Sequence, residues 1–213
     1  MLRNANLQLV LKIGYHFLQL YILYYLLSLC NNLVSIIIPT YNSQSVIENC
    51  LNSIQNQKYK NFEVLVIDGK STDETVKICR DYQYCINIKI FSESDNGIYD
   101  AMNKGIKEAS GSWIYFLGSD DSFYNEFVLE NIFCGETDCD VIYGNVYSDR
   151  FNGIHAGEFD FFKLYKKNIC HQAIFVRNKV FGRIGVFNTS FISQADYAHN
   201  IKWFLNPGIK RCY

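Results

Sequence analysis

The stretch Leu33-Val34-Ser35-Ile36-Ile37-Ile38-Pro39-Thr40-Tyr41-Asn42 decides the fold. From Leu33 to Ile38 a single hydroxyl interrupts aliphatic side chains, and Pro39 ends the run. A near-continuous apolar run of this length reads as a strand buried on both faces, as in a parallel sheet sandwiched between helices. The following segments repeat the logic. Ser45 and Glu48 are spaced as a capping box ahead of Val46, Ile47, Cys50, Leu51 and Ile54 at helical spacing. Phe62 to Ile67 is a second strand closing on Asp68-Gly69, and Ser71 with Glu74 is a second capping box opening a helix that turns Val76, Cys79 and Tyr82 inward. Ile86 to Phe91 is a third strand, Ile98 to Ala109 a helix stopped by Gly111, and Trp113 to Leu117 a fourth strand leading into Gly118-Ser119-Asp120-Asp121. The order β-α-β-α-β-α-β predicts an α/β fold, an open and mostly parallel Rossmann-like sheet with helices on both faces.

Beyond Phe123 the pattern loosens. Phe127 to Phe133 reads as a short helix, Val141 to Tyr147 as a strand and His155 to Phe162 as irregular. Gln172 to Val176 reads as a strand and Ala195 to Leu205 as a helix. A further strand begins at Ile209 and the chain stops at Tyr213, which reads as a C-terminal truncation.

A chain of 213 residues holds one domain plus a segment. Twenty Lys and Arg against 21 Asp and Glu leave a net charge of -1, which argues against a nucleic-acid binder. The eight cysteines contain no C-x-x-C pair and read as buried structural thiols in a reducing compartment. Residues 1–32 stand apart as a hydrophobic leader ahead of a domain at 33–213. Ile13 to Leu29 is apolar but broken by Gly14, His16, Gln19 and Ser28, with Arg3 and Lys12 before it. A membrane-spanning or membrane-lying helix, a signal peptide without a small-residue cleavage site, and a dispensable leader all fit this segment.

The chemistry gathers where the strands end. Thr40-Tyr41-Asn42, Asp68, Ser92 to Asp95, and Asp120-Asp121 all follow strands at the same edge, where open α/β sheets place their ligand crevice. No G-x-G-x-x-G or G-x-x-x-x-G-K-[ST] motif cradles a phosphate, and the edge is acidic. Carboxylates can still hold a diphosphate through a divalent metal, a task that suits Asp120 and Asp121. Asp68 reads either as an Asp-Gly turn residue or as an acceptor for a base or ribose, and Asp95-Asn96-Gly97 as a turn. Asp196 is either a first-turn acid complementing a helix dipole or a general base. His171 and Gln172, ahead of a strand, are weaker candidates for a donor or acceptor contact.

Taken in order, Val34 to Asn42, Val66-Ile67-Asp68-Gly69-Lys70-Ser71-Thr72-Asp73, Asp95 to Gly105 and Phe116 to Asp121 resemble glycosyltransferase family 2, a family with the GT-A fold. The likeness covers roughly Leu33 to Leu205. It implies inverting, metal-dependent transfer of a single sugar from a nucleotide-diphosphate sugar to a saccharide or lipid-linked saccharide acceptor, in cell-surface polysaccharide synthesis. By the same resemblance Pro39, Thr40, Tyr41 and Asp68 hold the nucleotide, with Asp95 beside them. Asp120 and Asp121 hold Mn2+ or Mg2+, and Asp196 is the base. The chain departs from the pattern at Gly118, where many members carry the first acid of D-x-D, and at Met102, where many carry a basic residue. The Q-x-x-R-W motif of processive members is absent. The resemblance also implies a cytoplasmic location, attached to the inner face of the membrane if the leader is a membrane helix. An inactive fragment, or a non-catalytic sugar-binding module, is the competing expectation that Gly118 and the early stop support.

Overall fold

The computed structural model describes residues 32–135, 137–148, 153–155 and 157–213; the leader at 1–31 lies outside them. Seven strands form one sheet in the order β3-β2-β1-β4-β8-β5-β9. Its left half is parallel: β1 (Val34–Thr40) runs between β2 (Phe62–Asp68) and β4 (Trp113–Phe116), and β3 (Ile88–Ser92) lies outside β2. In the right half β8 (Ile174–Arg177) pairs antiparallel with both β4 and β5 (Val141–Tyr143), and β9 (Arg211–Cys212) pairs parallel with β5. A separate hairpin joins β6 (Val146–Ser148) and β7 (Gly153–His155).

Every residue of β1 and β2 is buried. The period of two in a strand sends Ile36 and Ile38 to one face of the sheet and Ile37 to the other. Each fully buried isoleucine contributes roughly 1.5–3 kcal/mol. On the first face pack α1 (Ile47–Gln55), α2 (Thr75–Asp81) and α4 (Val128–Phe133). On the second pack α3 (Ile98–Glu108), α5 (Phe161–Lys166), α6 (Asn178–Ile184) and α7 (Ala195–Leu205). Gly105 sets how close α3 comes to the sheet, because a Cβ there would stand 2.4 Å from the Ile37 side chain.

The polar residues of the central strands are paired. Ser35 donates to Glu63 at 2.6 Å, and Glu63 also accepts from the Ser110 backbone and hydroxyl and from Lys89. Burial pushes the Glu63 pKa up, but the donors Ser35, Lys89 and Ser110 outweigh it and hold it at about 2.

Several expectations are corrected. Neither capping box forms: α1 begins at Ile47 and α2 at Thr75, without a side-chain cap from Ser45 or Ser71. Ser71 is drawn instead into the Asp68 cluster. The strand expected over Val141 to Tyr147 breaks at Gly144-Asn145 into β5 and β6, which belong to different sheets. The segment expected to be irregular, His155 to Phe162, is so at 157–160, but β7 ends at its first residue and α5 begins at Phe161, with N-cap Asp160 accepting from the Lys163 backbone at 2.7 Å. Helix α6 directly follows β8 where no helix is expected, and His171–Ala173 is a 3-10 turn rather than strand. Cys139 and Cys212 form a disulfide, against the reading of all cysteines as thiols, while Cys85 and Cys134 are exposed. Among the described residues no helix is long and apolar enough to cross a membrane.

Candidate active site

The sheet order reverses between β1 and β4, and the crevice of such sheets lies outside the strand ends at that point. On one side, register places Thr40, Asp68 and Ser92 beside one another as the last residues of β1, β2 and β3. Asp68 is fully buried. Its carboxylate accepts from the Ser71 backbone and hydroxyl and from the Ser92 hydroxyl at 2.5 Å. The same Ser71 oxygen accepts from the Asn42 backbone at 2.8 Å, while Asn42 Oδ1 accepts from the Thr72 backbone at 2.9 Å. Ser43 and Gln44 donate backbone N–H groups to Thr75 and Asp73. The loops after β1 and β2 are thereby stapled together, which is what Ser71, Thr72 and Asp73 of the second supposed capping box do.

Pro39 lies inside buried β1 opposite Ile67, and Thr40 presents a buried hydroxyl without a hydrogen-bond partner. Tyr41 is exposed at the mouth. A Cβ on Gly69 would stand 2.7 Å from Asp95 Oδ2 and 3.4 Å from the Tyr41 ring, so the missing side chain lets those two residues close over the turn. Asp95 accepts from the Gly97 backbone at 2.9 Å, as its Asp-Asn-Gly turn requires. Met102 is buried in the core and offers the crevice nothing. The cation near the Asp95 turn is Lys104, which donates to Ser94 O at 2.7 Å and pairs with Glu93 at 3.0 Å.

After β4 the chain turns sharply, with Asp121 N donating to Gly118 O at 3.0 Å. Both acids fold back over that turn. Asp121 Oδ2 and Asp120 Oδ1 lie 2.5 and 3.0 Å from where a Cβ on Gly118 would stand. A side chain at 118 would therefore displace both carboxylates from the positions they take here. Among the described residues no group of three or more His, Cys, Asp or Glu forms a closed metal cage. Two converging carboxylates nevertheless fit a hard divalent cation that takes its other ligands from substrate phosphates and water. Cys50 donates weakly to Gly118 O at 3.5 Å, and burial pushes its pKa so far up that it supplies no thiolate here.

The right half brings Asp196, the candidate base. Asp196, in the first turn of α7, is buried; Oδ1 accepts from the Tyr99 hydroxyl at 2.7 Å and Oδ2 from Asn168 at 2.7 Å. His171 Nδ1 lies 3.7 Å from Oδ2, beyond hydrogen-bond reach. Burial pushes the Asp196 pKa up, yet the groups of His171 and Tyr99 and the Tyr197 backbone more than offset it, leaving it at about 2. Burial and the Asp196 charge push Tyr99 up to about 12, so it remains a donor. The 3-10 turn joins the two halves. Gln172 Nε2 donates to Asp121 Oδ2 at 2.8 Å, and the adjacent His171 stands beside Asp196. A cleft of about 1070 Å³ opens beyond the acids, lined by Asp120, Asp121, Gln172, Tyr124, Tyr147 and Tyr213.

The chain's likeness to known proteins accords with this layout. Residues 35–188 match the family model for glycosyl transferase family 2. The chain belongs to glycosyl transferase family 2. A PGL/p-HBAD biosynthesis glycosyltransferase of Mycobacterium bovis is 42% identical over 185 residues, covering 84% of this chain and 72% of the relative. Among solved structures, Staphylococcus aureus TarS 1-349 in complex with UDP-GlcNAc superposes with a TM-score of 0.72 at 26% identity, over 84% of this chain and 55% of that 1-349 chain. A Pyrobaculum calidifontis mannosyltransferase, solved with GDP-Man and Mn2+, shares the fold at a TM-score of 0.66 and 21% identity. The chain thus spans little more than half the length of these solved neighbours.

Within this family 2 domain, the expected residues separate into two groups about the switch point: Thr40, Tyr41, Asp68 and Asp95 on one side, Asp120, Asp121, His171, Gln172 and Asp196 on the other. Tyr99 and Asn168 are not among the candidates of the sequence, Ser71 is read there only as a helix cap, and Ser92 only as the start of the polar segment Ser92 to Asp95. Tyr99 sat within the quoted Asp95 to Gly105 motif, so its signal was present; Asn168 lies in a stretch with no pattern at all.

Proposed function

We propose that this chain is an inverting glycosyltransferase that moves one sugar from a nucleotide-diphosphate donor to a hydroxyl of a saccharide or lipid-linked saccharide, in the assembly of a cell-surface polysaccharide or glycolipid. The observation that carries this reading is the turn His171–Ala173, which donates to Asp121 through Gln172 and stands beside Asp196 through His171. The nucleotide lies over Thr40, Tyr41, Asp68 and Asp95, where the Thr40 hydroxyl lacks a protein partner. Asp120 and Asp121 hold the Mn2+ or Mg2+, whose contribution when bound is to neutralise charge on the diphosphate. Gln172 orients Asp121. Asp196 takes the proton of the acceptor hydroxyl as that oxygen bonds to the anomeric carbon from the face opposite the diphosphate. The bond from the anomeric carbon to the diphosphate oxygen breaks with its electron pair, releasing the nucleoside diphosphate. The acceptor's lipid linkage and a cytoplasmic site at the membrane's inner face follow from the leader at 13–29, read as a membrane segment.

The test is nucleoside diphosphate release from a panel of nucleotide sugars, with Mn2+ and with chelator, followed by assignment of the product anomer by NMR. Release from one donor, lost with chelator and giving the opposite anomer, is the expected result. Retention of the donor's anomeric configuration would rule out the single-displacement scheme.

A further inference from the structure

Asp196 is held from behind by side chains with no contact to the crevice acids. Asn168, which donates to Asp196 Oδ2, accepts at its own Oδ1 from Asn200 Nδ2 at 2.8 Å. Asn200 Nδ2 also donates to Ile169 O at 3.0 Å, and Asn200 Oδ1 accepts from the Trp203 indole N–H at 3.0 Å. Asp196, Asn200 and Trp203 are spaced four and three apart on α7 and so share a face. Trp203 and Asn200 are buried.

The polarity of this chain is forced. An indole N–H only donates and an ionised carboxylate only accepts. Turning the Asn200 amide over would set donor against donor at Trp203 and acceptor against acceptor at Asn168 and Ile169. Turning Asn168 over would set acceptor against acceptor at Asp196. With both ends fixed, each amide has one allowed orientation, and an N–H always faces Asp196 Oδ2.

We propose that Trp203, Asn200 and Asn168 form a one-way hydrogen-bond relay that keeps the Asp196 carboxylate ionised and aimed into the crevice, so that all three are positioning residues for the transfer. The proposal rests on the reading of Asp196 as the base. The other titratable groups around the carboxylate are Tyr99 from α3, Cys170 and His171 from the turn, and His199 from α7 itself.

A packing role and a positioning role diverge along the relay. Trp203 is the large buried ring, so packing makes its loss the most damaging to stability; Asn168 touches Asp196, so positioning makes its loss the most damaging to turnover. Trp203→Phe, Asn200→Ala and Asn168→Ala are compared in the full chain for thermal midpoint, for kcat and donor KM of nucleoside diphosphate release, and for the Asp196 carboxyl titration by 13C NMR. The expected kcat loss grows toward the base, from about threefold in Trp203→Phe to on the order of 30-fold in Asn168→Ala, with donor KM within about twofold. The Asp196 titration midpoint moves upward in the same order, because a lost donor disfavours the ionised form. Turnover losses that instead follow the stability losses, greatest at Trp203, would overturn the proposal, as would an Asp196 titration unmoved in all three variants. The NMR arm reads the carboxylate directly. If Asp196→Asn keeps full turnover, the base assignment fails while the titration still decides whether the relay holds the carboxylate.

Discussion

At the residue scale the site depends on carboxylates whose neighbours set their charge. Asp196 has a folded pKa of about 2, so it stays ionised throughout the range from pH 8 to pH 4. Its protonation sets no acid limb there. Tyr99→Phe removes the Oδ1 donor and raises the Asp196 pKa, so the acid limb of kcat/KM that Asp196 sets below pH 4 moves to higher pH while the alkaline side stays in place; pH-rate profiles of the two proteins taken to below pH 4 check this. Asp196→Asn leaves a side chain of the same shape that cannot take a proton, and turnover is expected to fall by at least about 100-fold with folding retained. Gly118→Ala puts a methyl group into the space that Asp120 and Asp121 share. The Mn2+ concentration for half-maximal rate should rise about tenfold, as when the surroundings of a metal ligand are disturbed. A titration of donor turnover against Mn2+ measures it, and an unchanged midpoint would mean that the acids do not converge on a cation above Gly118.

At the scale of elements, Glu63 on β2 ties in β1 through Ser35, β3 through Lys89, and the connection from α3 to β4 through Ser110. Its pKa of about 2 is depressed in the folded chain. The stability it contributes is therefore fully present above its unfolded value near 4.5 and is lost as pH falls toward 2. Glu63→Gln keeps the shape but puts an amide where four donors need acceptors, so stability at pH 7 should drop by about 1–3 kcal/mol. The gap between variant and parent should narrow as pH falls from 5 to 3, which urea melts at several pH values would show; a constant gap would mean that the charge is not what matters. The elements also show where reading by pattern stops working. The first three helices and four strands are legible because each carries its own apolar period. α6 begins at the residue after β8, with no turn residue to announce it, and β5 and β6 read as one strand because Val141 to Tyr147 keeps its apolar character through Gly144-Asn145.

At the scale of the whole molecule, the right half of the sheet is less secured than the left. β9 is two residues long and pairs only through Val141 and Ile142, and the Cys139–Cys212 disulfide, closing a separation of 73 residues, fastens it. Cys139→Ser should lower stability by about 2–4 kcal/mol, seen as a lower thermal midpoint, with donor turnover kept because the acids and Asp196 sit on other elements. Adding reductant to the parent should bring its midpoint down to that of the variant. A parent insensitive to reductant would mean that the two thiols are already separate, the normal state in a reducing compartment.

The parallel left half, the acidic edge and nearly every candidate residue were legible in the sequence alone, because strand burial and loop chemistry are local: Ile36 to Ile38 and Asp120-Asp121 need no distant partner to be read. Tertiary structure decided which side chains meet. Ser71 was legible only as a cap until β3 brought Ser92 to the same carboxylate. Gly118 looked like a missing acid until the backbone showed both neighbours folding over it. His171 and Gln172 were weak candidates until an antiparallel β8 placed their turn between Asp121 and Asp196, residues 75 positions apart whose meeting depends on the packing of α7 against α3 and not on any periodicity in the chain.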